Sequence, residues 1–149
     1  MTVEVACRGT SKKYLSARLR RTVEKILRIL HRSRGGLSLA LVDDHVMREL
    51  NGKYRRKRGT TDVLSFPFGG YPVVREPILG DVVISVEQAE RQARQRRRAL
   101  TQELEALLIH GILHLVGYDH ERSAKEARRM ARREAAIAKA LAGSRQART

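Results

Sequence analysis

Four short stretches of the chain are apolar or alternate between apolar and polar residues, and this pattern predicts four β-strands. The predicted strands cover residues 2–7, 37–42, 62–66 and 81–86. A segment rich in glycine and proline joins the third strand to the fourth. A connection of this length allows the two strands to form a long hairpin.

Between and after these strands, apolar residues recur at helical spacing and predict amphipathic helices. Ser85 with Gln88, and Ser123 with Glu126, have the spacing of capping boxes that open helices. The predicted helices span residues 14–30, 43–52, 85–98, about 101 to 117, and 123–143. The sequence therefore predicts an α+β protein.

A chain of 149 residues can bury a sufficient core of its own, so residues 1–149 are expected to form one domain. The tail, residues 144–149, has no apolar side chain larger than alanine and is expected to be disordered. The single cysteine, Cys7, cannot form an intramolecular disulfide, which fits a reducing cytoplasm. The longest apolar stretch contains two histidines and is too short to span a bilayer. Neither secretion nor membrane insertion is expected.

The charge of the chain is strongly unbalanced, with 31 lysines and arginines against 16 acidic residues and a net charge of +15. A polyanion is the partner that such a surplus favours. Tyr54 precedes four consecutive cations at residues 55–58. The chain has no tryptophan and only six tyrosine and phenylalanine residues, so readout of nucleic-acid bases by stacking should be limited.

Three histidines, His110, His114 and His120, fall within eleven residues of a mostly apolar segment. On a helix, positions i and i+4 share one face, so His110 and His114 can point at one metal ion. Gly117 can end that helix in a left-handed turn and let His120 swing back as a third ligand. Three nitrogens with one open position are typical of a catalytic zinc site, and ligation by nitrogen alone favours zinc over nickel, copper or iron.

Two other interpretations of this cluster remain open. Metzincin proteases share the histidine spacing but carry a glutamate as general base after the first histidine, where this chain has Gly111. A non-catalytic RNA-binding or ribosome-assembly factor could hold a structural zinc, with Cys7 as a possible fourth ligand. No acidic residue is clearly placed as a general base, although Asp119 and Glu121 flank His120. Capping of the turn after Gly117 is the favoured role of Asp119.

The chain resembles the YbeY family of bacterial zinc-dependent endoribonucleases over about residues 37–137. The residues that carry the resemblance are the eleven-residue histidine motif, Leu50-Asn51-x-x-Tyr54-Arg55, residues 61–67 (TDVLSFP) and residues 79–82 (LGDV). The resemblance implies an α+β fold in which a small four-stranded, mostly parallel mixed sheet is covered by helices, with the metal in a cleft. It also implies cleavage of single-stranded RNA, ribosomal RNA processing at the small-subunit 3′ end, and ribosome quality control in the cytoplasm.

The resemblance also assigns roles to individual residues. His110, His114 and His120 are the expected ligands of one zinc ion, and Arg55 matches the family's functionally important arginine beside the metal. The loop residues Arg56, Lys57 and Arg58 are expected to bind RNA, and the ribosome or small-subunit proteins are the expected partners. The family usually has an acidic residue and then a proline in this loop, whereas this chain has Arg58 and Thr60 at those positions.

Overall fold

The computed structural model describes residues 2–10, 12–54, 62–67 and 78–146. The strands are β1 (Thr2–Arg8), β2 (Gly36–Val42), β3 (Val63–Pro67) and β4 (Ile78–Ser85). The helices are α1 (Ser16–Ile29), α2 (Asp44–Tyr54), α3 (Val86–Gln95), α4 (Leu100–Leu115) and α5 (Ala124–Gln146). All four strands and five helices that the apolar pattern predicted are present, which confirms the α+β class.

The four strands form one mixed sheet in the order β1-β2-β4-β3. β2 pairs in parallel with β1 and with β4, whereas β3 runs antiparallel to β4. The hairpin that was expected from the third and fourth strands is therefore confirmed. The mostly parallel sheet that the family resemblance implied is confirmed as well.

Helices cover both faces of this sheet. Successive residues of a strand point to opposite sides, so each face contributes apolar side chains to its own core. The larger core contains Leu39, Leu41 and Ile84 from the central strands, together with apolar residues of α1, α4 and α5. The smaller core lies on the other face, where Val46 and Met47 of α2 pack with residues of β2, β3 and β4. α4 thus lies on the larger core, and its histidines project from that layer.

Two helices extend beyond their predicted ends, whereas α3 ends at Gln95, before the predicted residue 98. α2 continues through Asn51 and Gly52 to Tyr54, and α5 continues through Gly143 to Gln146. A glycine inside a helix costs only about 1 kcal/mol relative to alanine, so packing of the rest of the helix can override it. Asn51 is itself buried within α2. The expected disordered tail is helical through residue 146, and residues 147–149 lie outside the described residues.

A buried carboxylate joins the connection after α3 to the first turns of α4. Glu103 is fully buried, and its two oxygens accept hydrogen bonds from Arg96 and Arg98 at 2.6 Å each. The arginines of residues 94–98 form a basic run of the kind that follows an RNA backbone. Arg96 and Arg98 instead neutralise Glu103, and Arg94 lies 3.4 Å from Glu90. Much of the charge of this segment is therefore used within the fold.

None of the helices in the described part of the chain is long and apolar enough to cross a membrane.

Candidate metal centre

The C-terminal half of α4 presents two histidines next to the core. Leu108 and Ile112 are fully buried, and they hold this part of the helix against the sheet. His110 and His114, one turn apart, are only partly buried. The helix therefore keeps both imidazoles at the border between the core and solvent, where a polar ring can still reach a ligand.

Gly117 ends α4 in a Schellman motif that reverses the chain. Its φ is +106°, a left-handed conformation that glycine adopts without steric cost. The amide of Gly117 donates to the carbonyl of His114 at 3.2 Å, and the amide of Tyr118 donates to that of Leu113 at 3.0 Å. The reversal predicted at Gly117 is confirmed, and it returns His120 toward the helix.

The three imidazoles form one cluster. The ring centroids of His110 and His114 lie 4.8 Å apart. The ring centroid of His120 lies 5.0 Å from that of His110 and 5.1 Å from that of His114. One ligand atom from each ring lies within 4.8 Å of the other two. Nitrogens bound to a tetrahedral zinc ion are about 3.3 Å apart, so small side-chain rotations bring all three onto one ion. This donor set fits a metal ion.

The protonation of His114 also suits a metal ligand. Partial burial lowers the pKa of His114 below its ordinary value of 6.5, and His110 and His120 lower it further. The carboxylates of Asp119 and Glu121 act in the opposite direction with smaller effect. Only a neutral imidazole binds a metal ion, so the lowered pKa keeps His114 ready for binding in mildly acidic solution.

This lowered pKa predicts how the stability of the metal-free protein depends on pH. Well above pH 6.5 His114 is neutral in both the folded and the unfolded chain. As the pH falls through 6.5, the unfolded chain takes up the proton first, so the free energy of unfolding decreases until the folded pKa is reached. We expect His114→Gln to reduce this decrease, as measured by urea denaturation between pH 7.5 and pH 5 on metal-free samples. An equal decrease in the variant would contradict the assignment.

Glu134, on α5, lies next to the cluster and was missed in the sequence analysis. Its Oε2 atom is 3.2 Å from Nδ1 of His110. The sequence did contain an indication of this position. Met130, Ile137 and Leu141 form an apolar stripe at helical spacing, and Glu134 is a charged residue within that stripe. All three of those apolar residues are buried. A carboxylate in such a stripe faces the neighbouring helix and needs a polar partner there.

Gly111 explains how α4 approaches the sheet so closely. A Cβ atom at this position would lie 3.0 Å from Cγ1 of Val82 and 3.2 Å from Oγ of Ser65. Ser65 also donates a hydrogen bond of 2.9 Å to the carbonyl of Gly111. Position 111 therefore faces the sheet, so a metzincin-type glutamate there has no room and no path to the cluster.

Filling this contact is expected to destabilise the protein. Gly111→Leu places a branched side chain against the buried Val82, and overpacking of this kind costs about 1–3 kcal/mol. Gly143→Leu is the matched control, because a Cβ there meets nothing within 4 Å. Urea denaturation of both variants should show a loss only at position 111. Equal stability of the two variants would disprove the close contact.

The remaining candidates fall in three groups. Asp119 accepts a hydrogen bond of 2.9 Å from the amide of Glu121, so its structural role in the turn is confirmed. Cys7 lies on β1 and is not part of the histidine cluster; its Sγ atom is 3.4 Å from Oγ of Ser16. The loop candidates are outside the described residues: Arg55, Arg56, Lys57 and Arg58.

Comparison with known proteins gives one consistent match. A family model described as Endoribonuclease YbeY matches residues 4–142. A protein from Anaeromyxobacter sp. (strain Fw109-5), named Endoribonuclease YbeY, is 48% identical over 140 residues, which cover 94% of this chain and 72% of the relative. A relative of the same name from Persephonella marina is 46% identical, with 85% of this chain and 81% of the relative covered.

A solved structure matches over nearly the whole chain. The solution structure of a protein from Thermotoga maritima aligns with a TM-score of 0.68 at 27% sequence identity. The alignment covers 99% of this chain and 93% of the other. The similarity in fold therefore includes the sheet, α4 with its two histidines, and the turn that precedes His120.

Proposed function

Because the chain belongs to the YbeY endoribonuclease family, we propose that it is a metal-dependent endoribonuclease that cleaves single-stranded RNA. Its substrate is ribosomal RNA, processed at the 3′ end of the small-subunit RNA, and it also acts in ribosome quality control. It works in the cytoplasm as a single domain, with the ribosome or small-subunit proteins as partners. The observation that carries the proposal is the cluster of three histidines in a chain of net charge +15.

In this proposal His110, His114 and His120 bind one zinc ion. Their rings converge from two directions, α4 and the segment after its C-terminus, and the three imidazoles would hold the ion between them. A bound metal ion supplies a Lewis acid and a water of lowered pKa for attack on phosphorus. The chain's part is to hold the neutral imidazoles in place and to bring the phosphodiester to them.

Arginines bring the RNA to this site. Arg55 pairs with a non-bridging phosphate oxygen as negative charge develops, because its planar guanidinium matches phosphate geometry. Arg56, Lys57 and Arg58 bind the flanking backbone through charge. Arg129 of α5 lies near the site: its guanidinium carbon is 4.5 Å from the ring centroid of Tyr118, and its Nη1 atom is 3.3 Å from Oε2 of Glu126. The other basic residues of this helix face are Arg128, Arg132 and Arg133.

The proposal is tested by cleavage of a labelled RNA, presented either as a single strand or annealed to its complement. Zinc-loaded protein should cut the single strand and leave the duplex intact. Arg55→Ala should lower the rate about 100-fold, the effect of removing one donor to a developing charge. Arg48→Ala is the matched control, since it removes one positive charge from the exposed side of α2 and should keep the wild-type rate.

Two results would contradict this proposal. Identical residual cutting by all preparations would show that the activity belongs to a contaminant. Zinc and RNA binding without any cutting would favour the non-catalytic assembly factor with a structural zinc.

A further inference from the structure

Glu134 occupies an unusual position for a charged residue. It lies on the buried face of α5, four residues after Met130 and three before Ile137, both of which are fully buried. This face packs against the larger core, to which α4 also contributes. Glu134 therefore points toward α4 rather than into solvent, and its side chain is only partly exposed.

Glu134 pairs with a histidine, whereas most of the acidic side chains that form ion pairs in the described residues pair with lysine or arginine. Glu90, Glu103 and Glu126 all pair with lysine or arginine, as expected in a chain with 31 such residues. Within the described residues, Glu134 instead makes its ion pair with His110, Nδ1 to Oε2 at 3.2 Å. It is the closer of the two pairs between a carboxylate and a cluster histidine in the described residues, since Glu121 lies 4.0 Å from His120.

We propose that Glu134 is a positioning residue that holds His110 in the tautomer with the proton on Nδ1. Nδ1–H then donates to the carboxylate, which fixes the ring orientation and leaves Nε2 for the metal ion. A carboxylate in this role also raises the basicity of the ligand nitrogen. This inference rests on the proposed metal site and deepens it. The packing of α5 against α4 thereby contributes to the metal affinity of the histidine cluster.

The surroundings of Glu134 allow this role to be tested by substitution. The residue borders a cavity of about 360 Å³ between α4 and α5, lined also by Ala106, Ile109 and Ala135. Because Glu134 is not closely packed on this side, shortening it should change the metal site more than the fold. We expect metal-free Glu134→Ala to unfold at nearly the same urea concentration as the wild type.

The first measurement is the zinc dissociation constant, obtained by competition with a chromophoric chelator for the wild type and three variants. Glu134→Ala should bind zinc about 10–100-fold more weakly, the usual loss when such a partner is removed. Glu134→Gln keeps an oxygen acceptor and should lose less than Glu134→Ala. Glu126→Gln is the matched control, because it removes a carboxylate from the same helix that pairs with Arg129. It should keep the wild-type dissociation constant.

The second measurement is the tautomer of His110 in the zinc-loaded protein, read from ¹⁵N–¹H NMR of the imidazole rings. The wild type should show the proton on Nδ1 and the metal on Nε2, and Glu134→Ala should lose the protected Nδ1 proton. Wild-type affinity in Glu134→Ala, or an equal loss in Glu126→Gln, would overturn the role of Glu134 alone. Failure of the wild type to bind zinc would overturn the metal site and the role of Glu134 together.

Discussion

Replacement of His114 by alanine is expected to abolish stable metal binding and to lower RNA cleavage about 1,000-fold or more. His114 is the second helical histidine of the cluster, and its ring lies near both others. Its loss leaves two imidazoles, one on α4 and one after the turn, which are too few for a stable zinc site. A metal ion lowers a barrier by several kcal/mol, and each 1.4 kcal/mol corresponds to a tenfold change in rate.

His45 supplies the matched control for this prediction. It is an exposed histidine on α2 that pairs with Glu49 at 3.1 Å and lies outside the cluster. His45→Ala should retain one metal ion per chain, by elemental analysis, and wild-type cleavage. Circular dichroism of both variants checks that each is folded. A folded His114→Ala protein that keeps both its metal and its activity would remove His114 from the site.

The largest expected loss of stability comes from removing both partners of Glu103. The carboxylate is fully buried, and Arg96 and Arg98 neutralise it from one side. The double variant Arg96→Ala/Arg98→Ala leaves a buried charge without compensation, which costs about 3–5 kcal/mol. We expect a decrease of this size in the free energy of unfolding, measured by urea denaturation.

The opposite substitution should cost less. In Glu103→Ala the two arginines lose their partner, but their side chains are 56% and 34% exposed and can be solvated by water. Arg94→Ala is the control, because its pair with Glu90 is exposed and such pairs contribute about 0–1 kcal/mol. A Glu103→Ala protein less stable than the double variant would contradict this explanation.

The parts of the fold and site that sequence predicted are those encoded locally. His110 and His114 are one helical turn apart, and Gly117 supplies the left-handed turn that returns His120, so eleven residues determine the cluster. Ser85 accepts a hydrogen bond from the amide of Gln88 at 3.2 Å, as the capping pattern predicted. Strand pairing followed from apolar patterning and the family resemblance.

The parts that sequence did not predict depend on contacts between distant elements. Glu134 meets His110 across two helices, 24 residues apart in sequence, and no local pattern names its partner. Gly143 resembles a helix terminator, but in α5 it is exposed and the helix continues past it. In the sequence the arginines after α3 resemble an RNA-binding surface, and only the packing of α4 brings Glu103 between two of them.

The sequence explains Gly111 only in part. A glycine in a helix costs about 1 kcal/mol relative to alanine, so its use indicates that something approaches the backbone closely. The structure identifies that neighbour as the sheet, through Val82, Ser65 and Val63. The same contact argues against the peptidase alternative, because a glutamate side chain after the first histidine would meet the sheet.

The most direct test of metal-dependent cleavage is a titration of metal-free protein with zinc, in which bound metal and RNA cleavage are followed in the same samples. We predict that the cleavage rate rises in proportion to bound zinc and saturates at one ion per chain, with no cutting before zinc is added. Cleavage that is already complete in the metal-free protein, or that stays absent after one zinc ion has bound, would contradict a metal-dependent endoribonuclease.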